Sequence, residues 1–365
     1  MKKYLVILLA LMMVLVAVAC GPKDPDTTGT EPPGGDVKVV KLASHNAIIE
    51  GNPYRVRYEA DIQEAAKAAI SHGLDVKYAS FVSNWDAATE SQQIENSINE
   101  GYDVILVNPV SPTGLDPIIE KAQKAGIVYI NADCEYTSTD VNVLNVSTDQ
   151  YYLGYTTGTY AGEVLGAGTK IIMIAALDGN QANADRQAGF EKAFEEKGLV
   201  VVGGQYNHDW DAVQAQQIMT EILNSGLEFD AVLTSQCAEA ILAAYDAAGK
   251  PYPKFVGFND TGEFMHRVIK INENERKMDF MVLSNPPGVG ASALNFGLNM
   301  LLGKELKDNV YTVPEIHAIR LPSKVNFTYD DIKNDEFLNL ANSMEPGDAI
   351  TYWLTIDEVA QAYFK

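Results

Sequence analysis

The sequence predicts an α/β protein built from two doubly wound, parallel-sheet, Rossmann-like domains. Short β-branched or apolar runs alternate with amphipathic stretches of helical length, the pattern of consecutive βαβ units. The alternation divides into two halves of similar make-up, linked by a local echo. Trp85-Asp86-Ala87 precedes Gln92-Gln93-Ile94 as Trp210-Asp211-Ala212 precedes Gln216-Gln217-Ile218, and each tract leads into an Asp-x-x-Leu strand, Asp103–Leu106 or Asp230–Leu233. A chain of 365 residues holds two domains of ordinary size at roughly 100–200 residues each.

In the first half, strands are expected at Val37–Ala43, Asp75–Tyr78, Val104–Val107, Val128–Asn131 and Val143–Val146, where β-branched residues gather. Helices fall between them near Tyr58–His72, Ala88–Glu100 and Asp116–Ala125. Gly73, Gly101 and Gly126 stand where a left-handed C-terminal cap belongs. The second half repeats the theme with strands at Lys170–Ala175, Val200–Tyr206, Ala231–Thr234, Lys254–Phe258 and Phe280–Leu283. Its helices lie near Gln150–Leu165, Ala184–Lys197, Ala212–Asn224, Ala238–Ala248 and Gly262–Ile271. Open parallel sheets place ligands at the carboxyl ends of their strands, so the cleft between two facing sheets is the expected site.

Ahead of the first strand, Lys2-Lys3, an apolar run from Tyr4 to Ala19 and then Cys20-Gly21 make up the charged, hydrophobic and small-residue regions of a secretory signal. The run is short for a bilayer span of about 20 apolar residues. The Pro, Gly, Thr and Asp that follow, up to residue 36, read as a flexible tether. Cys20 directly after Ala17-Val18-Ala19 resembles a bacterial lipobox, with Ala17 where Leu is usual. This implies removal of residues 1–19, lipidation of Cys20 and an extracytoplasmic protein lipid-anchored to the bacterial cell membrane. Only Cys134 and Cys237 remain beyond it, too few for a disulfide scaffold; two free thiols are expected, with a single bridge between them as the alternative.

Lys and Arg number 27 against 49 Asp and Glu, a net charge of −22 that repels a polyanion and excludes nucleic acid as a partner. There is no GxxxxGK[ST], no GxGxxG after a strand, no HExxH, CxxC or DxDxDG, and no GxSxG. No cofactor and no metal are expected. The strand-end loops, by contrast, concentrate planar polar groups and aromatic rings. They carry Ser44-His45-Asn46, Asn52-Pro53-Tyr54-Arg55, Asn108-Pro109 and Asn131-Ala132-Asp133 in the first half. In the second they carry Asp178-Gly179-Asn180-Gln181 with Arg186 beyond, then His208-Asp209-Trp210, Ser235-Gln236, Asn259-Asp260 and Ser284-Asn285-Pro286. Amides, carboxylates and guanidinium each engage two hydroxyls of a polyhydroxylated ligand, and aromatic faces cover its C–H patches. Asn, Asp and Gly also occur in loops for backbone reasons alone.

The chain resembles the type I periplasmic binding proteins, in particular the ribose- and galactose-binding branch, over roughly residues 38–320. Asn52-Pro53-Tyr54 is similar to that family's Asn-Pro-aromatic helix start, Arg186-Gln187-Ala188-Gly189-Phe190 to its Arg-x-x-Gly-Phe helix, and Val256-Gly257-Phe258-Asn259 to its Val-Gly-Phe-Asp strand end. His208-Asp209-Trp210-Asp211 resembles the segment that sets an aromatic ring against the sugar. The resemblance implies contacts from Asn52, Tyr54 and Asp133 in the first lobe, and from Arg186 and Trp210 in the second. Gln236 stands where the family has Asn, Asn259 where it has Asp, and Ser284 where it has Gln or Asn. Arg55 with Thr113-Gly114 looks like the galactofuranose-binding branch.

The resemblance further implies a three-segment hinge near Ser147–Gln150, Leu283–Pro286 and Ile316–Arg320, with 37–147 plus 286–316 as the N-terminal lobe and 148–285 plus 317–365 as the C-terminal lobe. Tyr352-Trp353-Leu354 and Phe364 suggest that the long tail packs on the second lobe. The function implied is non-catalytic: a monomeric receptor that takes a monosaccharide into the cleft and hands it to an ABC permease with its ATPase. The alternatives are a nucleoside or signalling-molecule receptor on the same fold, or a secreted glycan hydrolase. The hydrolase would need two carboxylates across a scissile bond, for which only Asp133 with Asp260 offers itself.

Overall fold

The computed structural model describes residues 37–50 and 52–365; the expected signal, Cys20 and the tether lie outside the described residues. The first half contains β1 (Lys38–Asn46), α1 (Pro53–Ala68), β2 (Leu74–Val82), α2 (Ala87–Asn99), β3 (Val104–Val107), α3 (Asp116–Lys124), β4 (Val128–Ala132) and β5 (Leu144–Thr148). Gly73 ends the first helical stretch at φ 72°, the left-handed conformation that a residue without a Cβ adopts freely. The strands form one parallel sheet in the order β2-β1-β3-β4-β5.

The second half runs through α4 (Gln150–Leu165), β6 (Lys170–Ala175), α5 (Gln181–Lys197), β7 (Val200–Val201), β8 (Tyr206–Asn207), α6 (Ala212–Asn224), β9 (Ala231–Thr234), α7 (Ala238–Ala248), β10 (Phe255–Asn259), α8 (Gly262–Ile271) and β11 (Asp279–Leu283). Its order, β7-β6-β9-β10-β11, is that of the first sheet. The single strand expected at Val200–Tyr206 is two short pieces, because the Gly203-Gly204 pair interrupts it with φ +89° at Gly203. Each sheet is buried on both faces. Apolar side chains from α1 and those from α2 and α3 cover opposite faces of the first sheet. In the second, α6, α7 and α8 oppose α4 and α5. Helices α4 and α5 pack backbone to backbone: a Cβ on Gly154 would fall 2.1 Å from the Arg186 carbonyl oxygen.

The remainder is α9 (Val289–Leu301), β12 (Ala318–Leu321), β13 (Asn326–Thr328), α10 (Asp335–Ser343) and α11 (Ile356–Tyr363). Placing all of 317–365 in the C-terminal lobe is incorrect. Ala318–Leu321 pairs in parallel with Asn145–Thr148 of the first sheet, burying Ala318, Ile319 and Leu321. The chain crosses only afterwards, since Asn326–Thr328 pairs antiparallel with β11. It then returns a second time. Ile350 is still bonded to Asp260 O in the C-terminal lobe, whereas Ile356, Val359 and Phe364 enter the core under α1 and α9. The tail therefore laces the lobes together, with Tyr352 on one side and Phe364 on the other. Arg320 of β12 adds a polar link, binding Glu135 in its own lobe at 2.8 Å and Asp185 of α5 at 2.7 Å.

A polar interlobe cleft as the candidate functional site

In both sheets the strand order reverses beside the first strand, between β1 and β3 and between β6 and β9, and such switch points at the carboxyl ends are where doubly wound sheets bind ligands. A cavity of about 520 Å³ opens between the two switch points. Among the described residues, no group of side chains is suited to hold a metal ion, and no helix is long and apolar enough to cross a membrane.

The N-terminal wall is organised by the start of α1. Asn52 caps that helix, its side-chain oxygen accepting from Arg55 N at 3.0 Å. Tyr54 and Arg55 then point at the end of β4, where Asp133, at φ +74°, accepts from Tyr54 Oη at 2.9 Å and from Arg55 Nη2. Burial opposes the charge on Arg55, but Asp133 together with Tyr54, Cys134 and Tyr58 outweighs that and holds its pKa above the ordinary arginine value. Arg55 Nη1 is buried with no hydrogen-bond partner among the described residues, a donor left for something in the cleft.

The opposite wall centres on Arg186, which is 1% exposed. Its Nε donates to Gln150 Oε1 and its Nη1 to Ser235 O, both at 2.6 Å, and the guanidinium lies 5.1 Å from the Trp210 ring and 5.4 Å from that of Phe258. No carboxylate among the described residues bonds to it, and burial lowers its pKa. Nη2 has no hydrogen bond to a described residue. The floor between the walls is a relay of amides: Gln150 Nε2 donates to Asn285 Oδ1 at 3.1 Å, and Asn285 N to Asp260 Oδ2 at 2.8 Å.

The two tryptophans repeat each other in backbone geometry. Asn84 and Trp85 have φ 52° and 63°, Asp209 and Trp210 have φ 50° and 62°, and each pair is followed by an aspartate that caps the next helix. A bulky residue in this region carries strain of about 1–3 kcal/mol. Both indoles are thereby presented to the cavity.

Of the residues singled out from sequence, Asn52, Tyr54, Arg55, Asp133, Arg186, Trp210, Gln236 and Asn259 line the one cavity. Ser284 does not. It is fully buried, its Oγ 2.9 Å from Ser323 Oγ and 3.1 Å from Tyr352 Oη, so the returning tail occupies it. Asn108, Asn180 and Asn285, present in the loop segments, also line the cavity, as does Trp85 of the Trp-Asp-Ala echo. Gln150 and Glu239 were missed, because both sit on helices with no loop signal. Cys134 and Cys237 are free, buried and on the lining, and burial raises the pKa of each thiol. Asp260 is buried outside the lining, so it does not face Asp133 as a hydrolytic pair would.

Residues 48–305 match the family model described as the periplasmic binding protein domain. The ribose import binding protein of Bacillus subtilis is 22% identical over 85% of this chain and 97% of its own. A periplasmic solute-binding protein from Actinobacillus succinogenes with bound D-allose superposes at TM-score 0.68, with 19% identity over 81% of this chain and 99% of that one. The arabinose-transporter component from Shewanella sp. ANA-3, bound to L-arabinofuranose, gives TM-score 0.66 at 16% identity over 83% and 99%. With its matched domain, its two doubly wound lobes and its interlobe cleft, the chain belongs to the periplasmic binding protein family in its type I form.

Proposed function

We propose that this protein is the substrate-binding lipoprotein of an ABC importer, capturing one monosaccharide between its lobes and delivering it to the permease and its ATPase. The observation that carries this reading is the pairing of cleft walls. Each presents a guanidinium with an unused donor, Arg55 Nη1 on one side and Arg186 Nη2 on the other, and each has an indole within reach. Such a site grips hydroxyl and ring oxygens while covering apolar ring faces. The relatives named for ribose, D-allose and L-arabinofuranose support a pentose or hexose, and Arg55 supports a furanose form. Ligand contacts from both walls would favour a closed arrangement of a monomeric receptor.

Titration calorimetry of the purified chain against pentoses, hexoses, inositols and nucleosides tests the reading. Saturable binding of one sugar class supports it, and preference for a nucleoside base contradicts it. For the anchor, Cys20→Ala is expected to move the protein from the membrane fraction to the soluble one. Unchanged membrane retention would rule out the lipid.

A further inference from the structure

We infer that Glu239 is a ligand-contacting, specificity-determining residue that accepts a hydrogen bond from a ligand hydroxyl on the C-terminal wall. This rests on the sugar-receptor reading above. Glu239 stands in the first turn of α7 and lines the cavity. Several other acceptors of that wall already accept within the protein. Asp211 Oδ1 caps α6, accepting from Val213 N and Gln214 N, and the exposed Asp209 accepts from Gln214 Nε2. Thr261 Oγ1 caps α8. Asn259, at the end of β10, has its Oδ1 taken by Asp260 N at 3.0 Å, while its Nδ2 donates to Glu239 Oε2.

That last bond decides the geometry. Asn259 does not present a free acceptor to the cavity; it clamps one oxygen of Glu239 and leaves Oε1 without a side-chain partner among the described residues. The carboxyl is fixed rather than flexible, so the entropy of ordering it is already spent before a ligand arrives. Arg186, on the same wall, is not bonded to it. A ligand that accepts from Arg186 Nη2 and donates to Glu239 Oε1 joins the two, whereas on the opposite wall Arg55 and Asp133 already join each other. Burial raises the pKa of Glu239, and a ligand hydroxyl donating to Oε1 would satisfy the buried carboxyl; a pocket built around such a bond rejects the analogue that lacks it.

The test uses the full chain in detergent, with D-ribose, D-allose and L-arabinose and their monodeoxy forms as probes, on wild type, Glu239→Gln and Glu239→Asp. The sugar that binds wild type is expected to bind Glu239→Gln about 10- to 100-fold more weakly, at an unchanged melting temperature. One monodeoxy form should bind wild type and variant alike, because the bond is already absent from it. Glu239→Asp, which withdraws the carboxyl by one methylene, should also weaken the parent sugar. Equal loss across every monodeoxy form, or no loss at all, overturns the inference while leaving the receptor reading in place. Silence of wild type toward these sugars and toward every other pentose and hexose of the calorimetric screen overturns both.

Discussion

Replacing Arg186 with Met should separate ligand binding from folding. The guanidinium is 1% exposed, bonded to Gln150 Oε1 and Ser235 O, and has no carboxylate partner among the described residues. Methionine keeps an unbranched apolar stem against Trp210 and Phe258. It leaves two buried acceptors without their donor, at about 1–3 kcal/mol each, but it also removes a buried charge whose desolvation opposes folding. The two effects largely offset, and the ligand-free variant should keep its stability to within about 2 kcal/mol. Binding has no such offset. Loss of the bonds from Nη2 removes about 3 kcal/mol, on the order of 100-fold in affinity. A ligand at 100 times its dissociation constant stabilises wild type by about 2.7 kcal/mol, and after a 100-fold weakening by only about 0.4 kcal/mol. Thermal unfolding with and without the sugar reads both numbers. A variant that melts as wild type does and keeps the full ligand shift would refute the placement of Arg186 at the binding centre.

Other expectations concern titration and packing. Burial pushes the carboxyls of Glu90 and Asp260 up to about 7 and the imidazoles of His45 and His208 down to about 3 and about 4. Folding therefore takes up protons at the carboxyls above about pH 4 and releases them at the imidazoles below about pH 6.5. The carboxyl contributions fall with rising pH and the imidazole contributions rise, so these four groups largely cancel between about pH 4.5 and 6.5. Glu90→Gln removes one falling contribution, and its melting temperature should climb relative to wild type across that window; a constant offset would contradict this. Gly154→Ala drives a Cβ into the Arg186 carbonyl and should cost about 1–3 kcal/mol or more in denaturant unfolding, and a neutral result would mean that α4 and α5 can separate. Phe364→Ala, at a site 3% exposed, should cost about 3–5 kcal/mol, whereas a tail that merely drapes over the surface would lose almost nothing.

Much of this architecture is written in periodicity. Strands β3, β6 and β9 begin and end where their β-branched runs do, and α4, α6, α7 and α8 coincide with the apolar helical stretches. The duplicated Trp-Asp-Ala tract is more than a sequence echo, since it encodes the same left-handed pair before a capped helix in each lobe. The tail was less legible for a definite reason. Periodicity tells whether a segment forms a strand or a helix, but not which of two similar sheets it joins. Ala318–Leu321 and Asn326–Thr328 lie four residues apart yet extend different sheets, one parallel and one antiparallel.

The same distinction separates the site residues found from those missed. Arg186 and Trp210 stand out because a guanidinium and an indole are expensive to leave without a purpose near a strand end, whatever the fold around them. Ser284 stands at an equivalent strand end, but the tail returns over it and Tyr352 takes its hydroxyl, a contact 68 residues away along the chain. Gln150 and Glu239 reach the cavity from helical first turns, where Gln and Glu are ordinary helix formers and carry no signal of their own. Gln150 acts by what it holds, accepting from Arg186 Nε, whereas Glu239 is itself held in place by Asn259 Nδ2. A ligand site in this fold is thus two layers deep. Residue type marks only part of its inner layer, and the rest follows from which carbonyls, amides and carboxyls remain unpaired once the lobes are assembled.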